Sequence, residues 1–432
     1  MTYEAVVDKI NNIRRFGNLA GVTITAQMLN ALGNPQEGMR LIHIAGTNGK
    51  GSVSAFLCEI LRAAGLKVGV FTSPHLVDFR ERICINGSMI EKEAVRRLGT
   101  RLLTQEFGVS PTMFDYCLVM ALLYFKEQQC DAVILETGLG GRLDSTNAVG
   151  TPEVSVITKI GYDHMAILGE TLEEIAAEKA GIIKKGTTVV VESQEPEVLS
   201  VFLREAEKAG ARACHVIDPN EFAECCYENG EQSFVYGAYG TLRMKMLGIH
   251  QYENAAAAIV AAEEFLRSEK MSDSILKNGI ENARQTWIAE CIRKGVYQTR
   301  WQGRMEILRK QPFLLVDGAH NSNGVAALKA SLETFFPGEK FHFVMGVMAD
   351  KDYEQMVEEL LPIALDFKTV TVEYDRALQA KALADCIREK GVSAECVEDL
   401  RTCFATEGAD IVHKTVAFGS LYFVGEIEAL FK

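Results

Sequence analysis

Ten residues, HIAGTNGKGS (43–52), constrain the fold more than any other stretch of this 432-residue chain. They join an apolar run, LIHIA (41–45), to KGSVSAFLCEILRAAG (50–65). In the second segment Val53, Phe56, Leu57, Ile60, Leu61 and Ala64 fall on one helical face, and Gly65 supplies a stop. A strand that turns through glycines into an amphipathic helix is half of a βαβ unit, so the chain is expected to build a mainly parallel sheet covered by helices. The turn is also a candidate anion site, because its amides and the positive end of the helix dipole face one point. It departs from the strict pattern G-x-x-x-x-G-K-[ST] at Ile44 and Gly51, with the hydroxyl one residue late at Ser52. The bland reading is a turn that only connects. The functional reading sets Lys50 on the β/γ-phosphates of a nucleotide and Ser52 on a phosphate oxygen or Mg²⁺.

The same alternation continues in LKVGVFTS, DAVILETG and EVSVITKIG, each a buried strand ending in small or polar residues. SFVYGAYGTLRMKML (233–247) reads as a hairpin, and QYENAAAAIVAAEEFLRS and SDSILKNGIENARQTWIAE as helices. From Pro312 a second set of strands begins: FLLVDGAHN, FHFVMGV, KTVTVE and KTVAFGSLYFVGE. The fold class is therefore α/β. An N-terminal domain with a mainly parallel sheet, residues 1–296, which the functional reading of the loop makes a P-loop-type ATPase domain, is followed by a smaller Rossmann-like α/β domain, residues 297–432. Two domains also suit a length beyond what one core supports.

A net charge of −13 argues against a protein that grips nucleic acid, whose affinity comes from clustered Lys and Arg. The eleven cysteines are scattered and odd in number, and none forms a C-x-x-C pair, which favours reduced thiols in a cytoplasmic protein. No apolar run has membrane-spanning length, and MTYEAVVDKINNIRRFG lacks the apolar stretch of a signal peptide.

Ligands of such sheets sit at the carboxyl ends of strands. There the sequence places Ser73 and the imidazole of TSPHL, then Glu136 with the glycine-rich LETGLGGRLDSTN carrying Arg142 and Asp144. Next come Asp163 and His164, with Lys179 on the helix beyond. Carboxylate, hydroxyl and imidazole beside a phosphate loop suit Mg²⁺ held partly by substrate phosphates. Each has a plain alternative: a helix cap or ion pair for Glu136, a turn residue for His164, a solvated charge for Lys179.

The succession HIAGTNGKGS, FTSPHLVDFRERI, LETGLGGRLDSTN, ITKIGYDH with EKAGIIK, GIHQYENAAAA, WQGRMEI, DGAHN and GSLYFVGE runs from residue 43 to 426. It resembles the folylpolyglutamate synthase and dihydrofolate synthase branch of the Mur ligases, ATP-dependent enzymes that join an amino acid to a carboxylate. The resemblance implies ATP contacts from Gly46, Thr47, Asn48, Gly49, Lys50, Gly51, Ser52, Asn254, Arg304 and Asp317. It implies Mg²⁺ ligation by Ser73, Glu136 and His164, and a carboxylated lysine at Lys179. Lys50, His164, Lys179 and His320 take catalytic roles, His320 near the incoming glutamate. Thr112, Phe114 and Asp115 of PTMFD, with Arg142 and Asp144, are the expected pterin contacts. Ser52 then serves phosphate while Mg²⁺ relies on the other three.

On that resemblance the chain is a monomeric carboxylate–amine ligase, ADP-forming, that uses ATP, Mg²⁺, L-glutamate and folate or dihydropteroate. It takes neither nucleic acid nor membrane as partner. Two alternatives stand beside it: a Mur-type ligase acting on a cell-wall nucleotide precursor, and a regulatory P-loop NTPase.

Overall fold

The structure, a computed structural model, describes residues 1–14, 20–267, 281–405 and 412–431. These residues pack as two compact units. The first comprises Met1–Cys226, Ser233–Met244 and Glu253–Thr299, the second Tyr227–Gln232, Lys245–Tyr252 and Arg300–Lys432. Sequence reading divides the chain once, near Tyr297. The two short segments join the second unit because Tyr227 stacks on Phe335 with ring centroids 4.4 Å apart, and Gln232 donates to the carbonyls of Met246 and Gly248.

The first unit holds, among the described residues, an eight-stranded sheet. Its strands are β1 (Leu41–Ala45), β2 (Val68–Phe71), β3 (Ile83–Ile85), β4 (Ser88–Met89), β5 (Ala132–Glu136), β6 (Val154–Ile157), β7 (Thr188–Val191) and β8 (Ala213–Val216), in the order β4-β3-β2-β5-β1-β6-β7-β8. From β2 to β8 every pair is parallel, and β3 and β4 add an antiparallel edge. The four central strands are buried on both faces, as parallel strands covered by helices must be. The mainly parallel sheet expected from the alternation is thus present.

Helix Lys50–Ala63 carries the expected apolar face but is buried almost all round, including Gly51, Ser52 and Ser54. It packs closely on helix Glu281–Gln298, where a Cβ on Gly295 would stand 2.4 Å from the Cα of Ile60. Ala64 caps the helix and Gly65 follows at φ +86°, the left-handed stop that glycine adopts without strain. Helix Gln251–Arg267 is present, whereas residues 272–280 of the second expected helix lie outside the described residues.

A three-stranded sheet follows, β9 (Phe222–Glu228), β10 (Glu231–Tyr236) and β11 (Thr241–Met244), in the order β11-β10-β9. It contains the hairpin read from the sequence. The second unit has a sheet of β12 (Glu306–Lys310), β13 (Phe313–Asp317), β14 (Phe341–Met345), β15 (Ala364–Val370), β16 (Ala394–Val397) and β17 (Lys414–Phe418), ordered β12-β13-β17-β14-β15-β16. Only β12 runs antiparallel among these pairs. The stretch KTVAFGSLYFVGE splits into β17 and the start of helix Leu421–Phe431, because Gly419 at φ +122° ends the strand.

Candidate active site

The strand order sets the site. β2, β5, β1 and β6 are neighbours, so the segments leaving their carboxyl ends emerge side by side. From β1 the chain enters the glycine loop. The amides of Thr47 and Asn48 donate to the Lys159 carbonyl at 2.9 and 3.2 Å. The Thr47 hydroxyl donates to the Gly161 carbonyl at 3.0 Å. Two glycines are required by close approach: a Cβ on Gly46 would lie 1.8 Å from Thr158 Oγ1, and one on Gly49 would lie 2.4 Å from Asn254 Oδ1. Asn254 is buried and on helix Gln251–Arg267, so the structure brings this expected nucleotide contact onto the loop itself. Helix Lys50–Ala63 starts from Gly49 with no side-chain cap, and the first-turn amides have no acceptor within the helix. That is the donor arrangement an oxyanion needs.

Two lysines meet at this loop. Lys50 Nζ donates to the carbonyls of Gly46 and Thr47 at 3.0 and 3.2 Å. Lys179, at the end of helix Leu172–Lys179 and 4 % exposed, donates to the same Gly46 carbonyl at 2.8 Å. Burial, reinforced by the charge of Lys50 and opposed by Asp163 and Asp144, lowers the Lys179 ammonium to about 7. A large fraction of Lys179 is therefore neutral amine at physiological pH.

Ser73 follows β2 and the buried Glu136 ends β5, and the Ser73 N–H donates to Glu136 Oε2 at 3.3 Å. His164 sits two strands away at φ +53°, as the N-cap of the short helix Met165–Leu168. Its exposed ring lies 3.8 Å from Asp163 Oδ1. The structure thus joins Ser73 to Glu136 and sets His164 beside Asp163. Among the described residues, no group of three or more His, Cys, Asp or Glu side chains is arranged to hold a metal ion.

The expected pterin residues show themselves chiefly as builders. Asp115 is fully buried, and its oxygens accept from the hydroxyls of Thr25 and Ser145 and from the amide and hydroxyl of Thr112, at 2.6–2.8 Å. With Thr112 it forms a capping box on helix Met113–Glu127. Asp144 accepts from Leu139 N–H, Thr146 N–H and Thr146 Oγ1, and burial raises its carboxyl. Phe114 packs edge-on against Phe71 and fills the space a Cβ on Gly138 would need. Arg142 is exposed and paired with Glu178 at 3.1 Å.

In the second unit Asp317 ends β13, buried, accepting from the amides of Met305 and Ala319 at 2.8 Å each. Burial raises its carboxyl against the lowering influence of Arg304, those amides and His320. A Cβ on Gly318 would lie 3.0 Å from the Arg304 guanidinium, and His320 Nδ1 is 2.8 Å from the Gly318 carbonyl. Arg304, Asp317 and His320 therefore cluster at one strand end. His250, not singled out from the sequence, belongs to this group: burial and then Arg304 hold it neutral, with its pKa near 4.

Sequence reasoning also passed over the residues that shape the phosphate loop, Thr158 and Lys159 after β6, and over His43 within β1. His43 is buried, lowered to about 3 first by burial, and 2.8 Å from Thr146 Oγ1. Since that hydroxyl donates to Asp144, the ring donates through Nε2–H. The available signal was position: all three lie in or just beyond strands flanking the loop.

Comparison with known proteins agrees with this geometry. Residues 44–262 match the Mur ligase middle domain and 303–415 the Mur ligase, glutamate ligase domain. The dihydrofolate synthase/folylpolyglutamate synthase of Bacillus subtilis is 36 % identical over 100 % of this chain and 99 % of its own. The folylpolyglutamate synthase of Lacticaseibacillus casei is 33 % identical over 83 % of each. Among solved structures, Mycobacterium tuberculosis folylpolyglutamate synthase complexed with ADP superposes with a TM-score of 0.87, at 28 % identity, over 99 % of this chain and 98 % of that one.

Proposed function

The chain belongs to the Mur ligase family, on its folylpolyglutamate synthase and dihydrofolate synthase branch, and from that membership we propose that it joins L-glutamate to the carboxylate of a folate or dihydropteroate, converting ATP to ADP and phosphate. The observation that carries the reading is the loop at Gly46–Ser52, where helix Lys50–Ala63 starts without a side-chain cap and two lysines converge on the Gly46 carbonyl.

A carboxylate in water is a poor acceptor for an amine, so its oxygen must first become a leaving group. The γ-phosphoryl group of ATP moves to the carboxylate oxygen, giving an acyl phosphate and ADP. The glutamate amine then adds to the acyl carbon, loses a proton and expels phosphate. For such transfers the protein's work is positioning and charge neutralisation. The loop amides and Lys50 hold the phosphates, and Asn254 covers the loop at Gly49. Arg304, Asp317 and His320 form the corresponding cluster of the second unit, with His320 proposed near the incoming glutamate.

Ser73 and Glu136 present hard oxygen donors at adjacent strand ends, the ligand type that Mg²⁺ takes, and the N–H of one already touches the carboxylate of the other. These two, with His164, would hold the ion, which supplies neutralisation of phosphate charge when bound. Lys179 has the neutral amine that attack on CO₂ requires. The N–C bond forms as one C=O π bond of CO₂ opens, one proton leaves, and the neutral amine becomes a carbamate anion. The pterin reading of Thr112, Phe114, Asp115, Arg142 and Asp144 rests on the family pattern, and for the two aspartates it is a role exercised through the loops they fold. We further propose a cytoplasmic monomer, which suits eleven unpaired cysteines.

The test is product analysis. Purified protein with ATP, L-glutamate and either dihydropteroate or tetrahydrofolate should release ADP and a glutamylated product visible by mass spectrometry. ATP consumption indifferent to the omission of glutamate and pterin would overturn the reading.

A further inference from the structure

Three consecutive residues after β7 hold the segment that follows β6. Glu192 Oε2 accepts the Lys159 N–H at 2.7 Å. Ser193 receives the Lys159 ammonium on its carbonyl and its hydroxyl, at 2.8 and 3.2 Å. Gln194 accepts the Ile160 N–H and donates to the Thr158 carbonyl, at 3.1 and 3.2 Å. The held segment in turn grips the phosphate loop, since the Lys159 carbonyl takes the amides of Thr47 and Asn48. Lys159 is thus fixed through its N–H on one side and fixes the loop through its C=O on the other.

We infer that Glu192 is a positioning residue for the phosphate loop, acting through Lys159. The inference rests on reading that loop as the ATP site. Glu192 lies far from the surface, at 2 % exposure, and its Oε1 has no hydrogen-bond partner. Two charged groups face it: Glu253 from helix Gln251–Arg267, and Lys159 itself. Glu253 is tied into the same network by the Ser193 hydroxyl at 2.5 Å and directly precedes Asn254, which covers Gly49. Burial first, then the charge of Glu253, raise the Glu192 carboxyl to about 8. At neutral pH it is an uncharged acid that accepts from Lys159 without placing a second anion beside Glu253. Above pH 8 it ionises, and the cost of a buried charge facing a like charge, which the Lys159 ammonium offsets only in part, favours movement of the side chain or of the Glu253 helix. Either movement loosens a support of the loop.

The experiment is ATP titration calorimetry at pH 7 and pH 9 on the wild type, Glu192→Gln and Glu192→Ala, with the ATP KM and kcat of the ligase reaction alongside. The wild type should bind ATP roughly tenfold more weakly at pH 9 than at pH 7, a change of one decade in Kd. Glu192→Gln keeps an oxygen acceptor for Lys159 and cannot ionise, so its affinity should equal the wild type's at pH 7 and fall clearly less than the wild type's by pH 9, the remaining loss being that of the Lys179 charge. Glu192→Ala should raise Kd and the ATP KM about tenfold at pH 7, with a smaller change in kcat. A folded Glu192→Ala protein with wild-type Kd, or a Glu192→Gln protein with the wild type's alkaline weakening, overturns the inference while leaving the ATP site intact. If Glu192→Ala does not fold, the pH comparison with Glu192→Gln decides. Failure of the wild type to bind ATP at either pH removes the ATP reading, and the inference with it.

Discussion

Lys50 and Lys179 donate to one acceptor, the Gly46 carbonyl oxygen, at 3.0 and 2.8 Å. Burial first, then the neighbouring Lys50 charge, lowers the Lys179 ammonium to about 7. Its neutral fraction grows as pH rises through 7, so carbamate formation should grow with it. With ¹³C-bicarbonate, a carbamate resonance should strengthen from pH 6 to pH 8 and be absent from Lys179→Ala. That variant should lose on the order of 10²–10³ in kcat, the scale for removing a preorganised charged group from an active site. Because Lys50 contributes to the lowering, Lys50→Ala should move the carbamate titration to higher pH. An unmoved midpoint would show that the two amines do not sense each other.

Gly46→Ala tests the close approach to Thr158. The new methyl would stand 1.8 Å from Thr158 Oγ1 and 2.9 Å from its Cβ. Overpacking of this kind costs roughly 1–3 kcal/mol, and the displacement falls on the phosphate loop. ATP affinity should drop at least about tenfold, and Gly46→Ala/Thr158→Ala should recover part of it, since the nearest obstructing atom is gone. Equal affinities for the single and double variants would place the cost elsewhere.

Asp317 and Arg304 separate by stability. Asp317→Ala strands the amides of Met305 and Ala319, each costing about 1–3 kcal/mol. It should therefore unfold at lower temperature as well as lose activity. Asp317→Asn keeps one acceptor oxygen and should lose less stability. Arg304→Ala should lower kcat/KM by about 10²-fold while shifting Tm little. Thermal melts paired with steady-state kinetics distinguish these outcomes, and wild-type turnover by Arg304→Ala would count against its placement at ATP.

Asp115→Ala removes the acceptor for Thr25, Ser145 and both donors of Thr112. A loss of about 3–5 kcal/mol is expected, the sum of a cap and several stranded donors, read by denaturant unfolding. A folate KM that changes while stability does not would restore the view of Asp115 as a direct pterin contact.

The parts legible in the sequence were those whose chemistry is local. A strand, a glycine turn and an amphipathic helix lie within 25 residues, and the burial of Phe56, Leu57, Ile60 and Leu61 follows from their spacing. Glu136 could be placed because apolar strands end where ligands bind. Asp115 and Asp144 were harder: a carboxylate in a glycine-rich or cap-forming segment looks the same whether it faces a ligand or a hydroxyl of its own chain. What separates the cases is Thr25, 90 positions away from Asp115, and Ser145, 30 away. Glu192, Ser193 and Gln194 carry no local pattern that sets them apart from any polar strand end. Their importance depends on β7 lying beside β6, a pairing that no local pattern specifies.

The decapeptide that begins the proposed nucleotide site does not own its shape. Gly46 fits against Thr158, Gly49 against Asn254, and the two amides between them rest on Lys159, all more than a hundred residues downstream. Transplanting HIAGTNGKGS onto another strand–helix scaffold would carry over its lysine and glycines but not the mould that bends them. The inheritable unit of the proposed ATP site is therefore a set of three chain segments, and a recombinant or circularly permuted version should keep nucleotide affinity only if all three travel together.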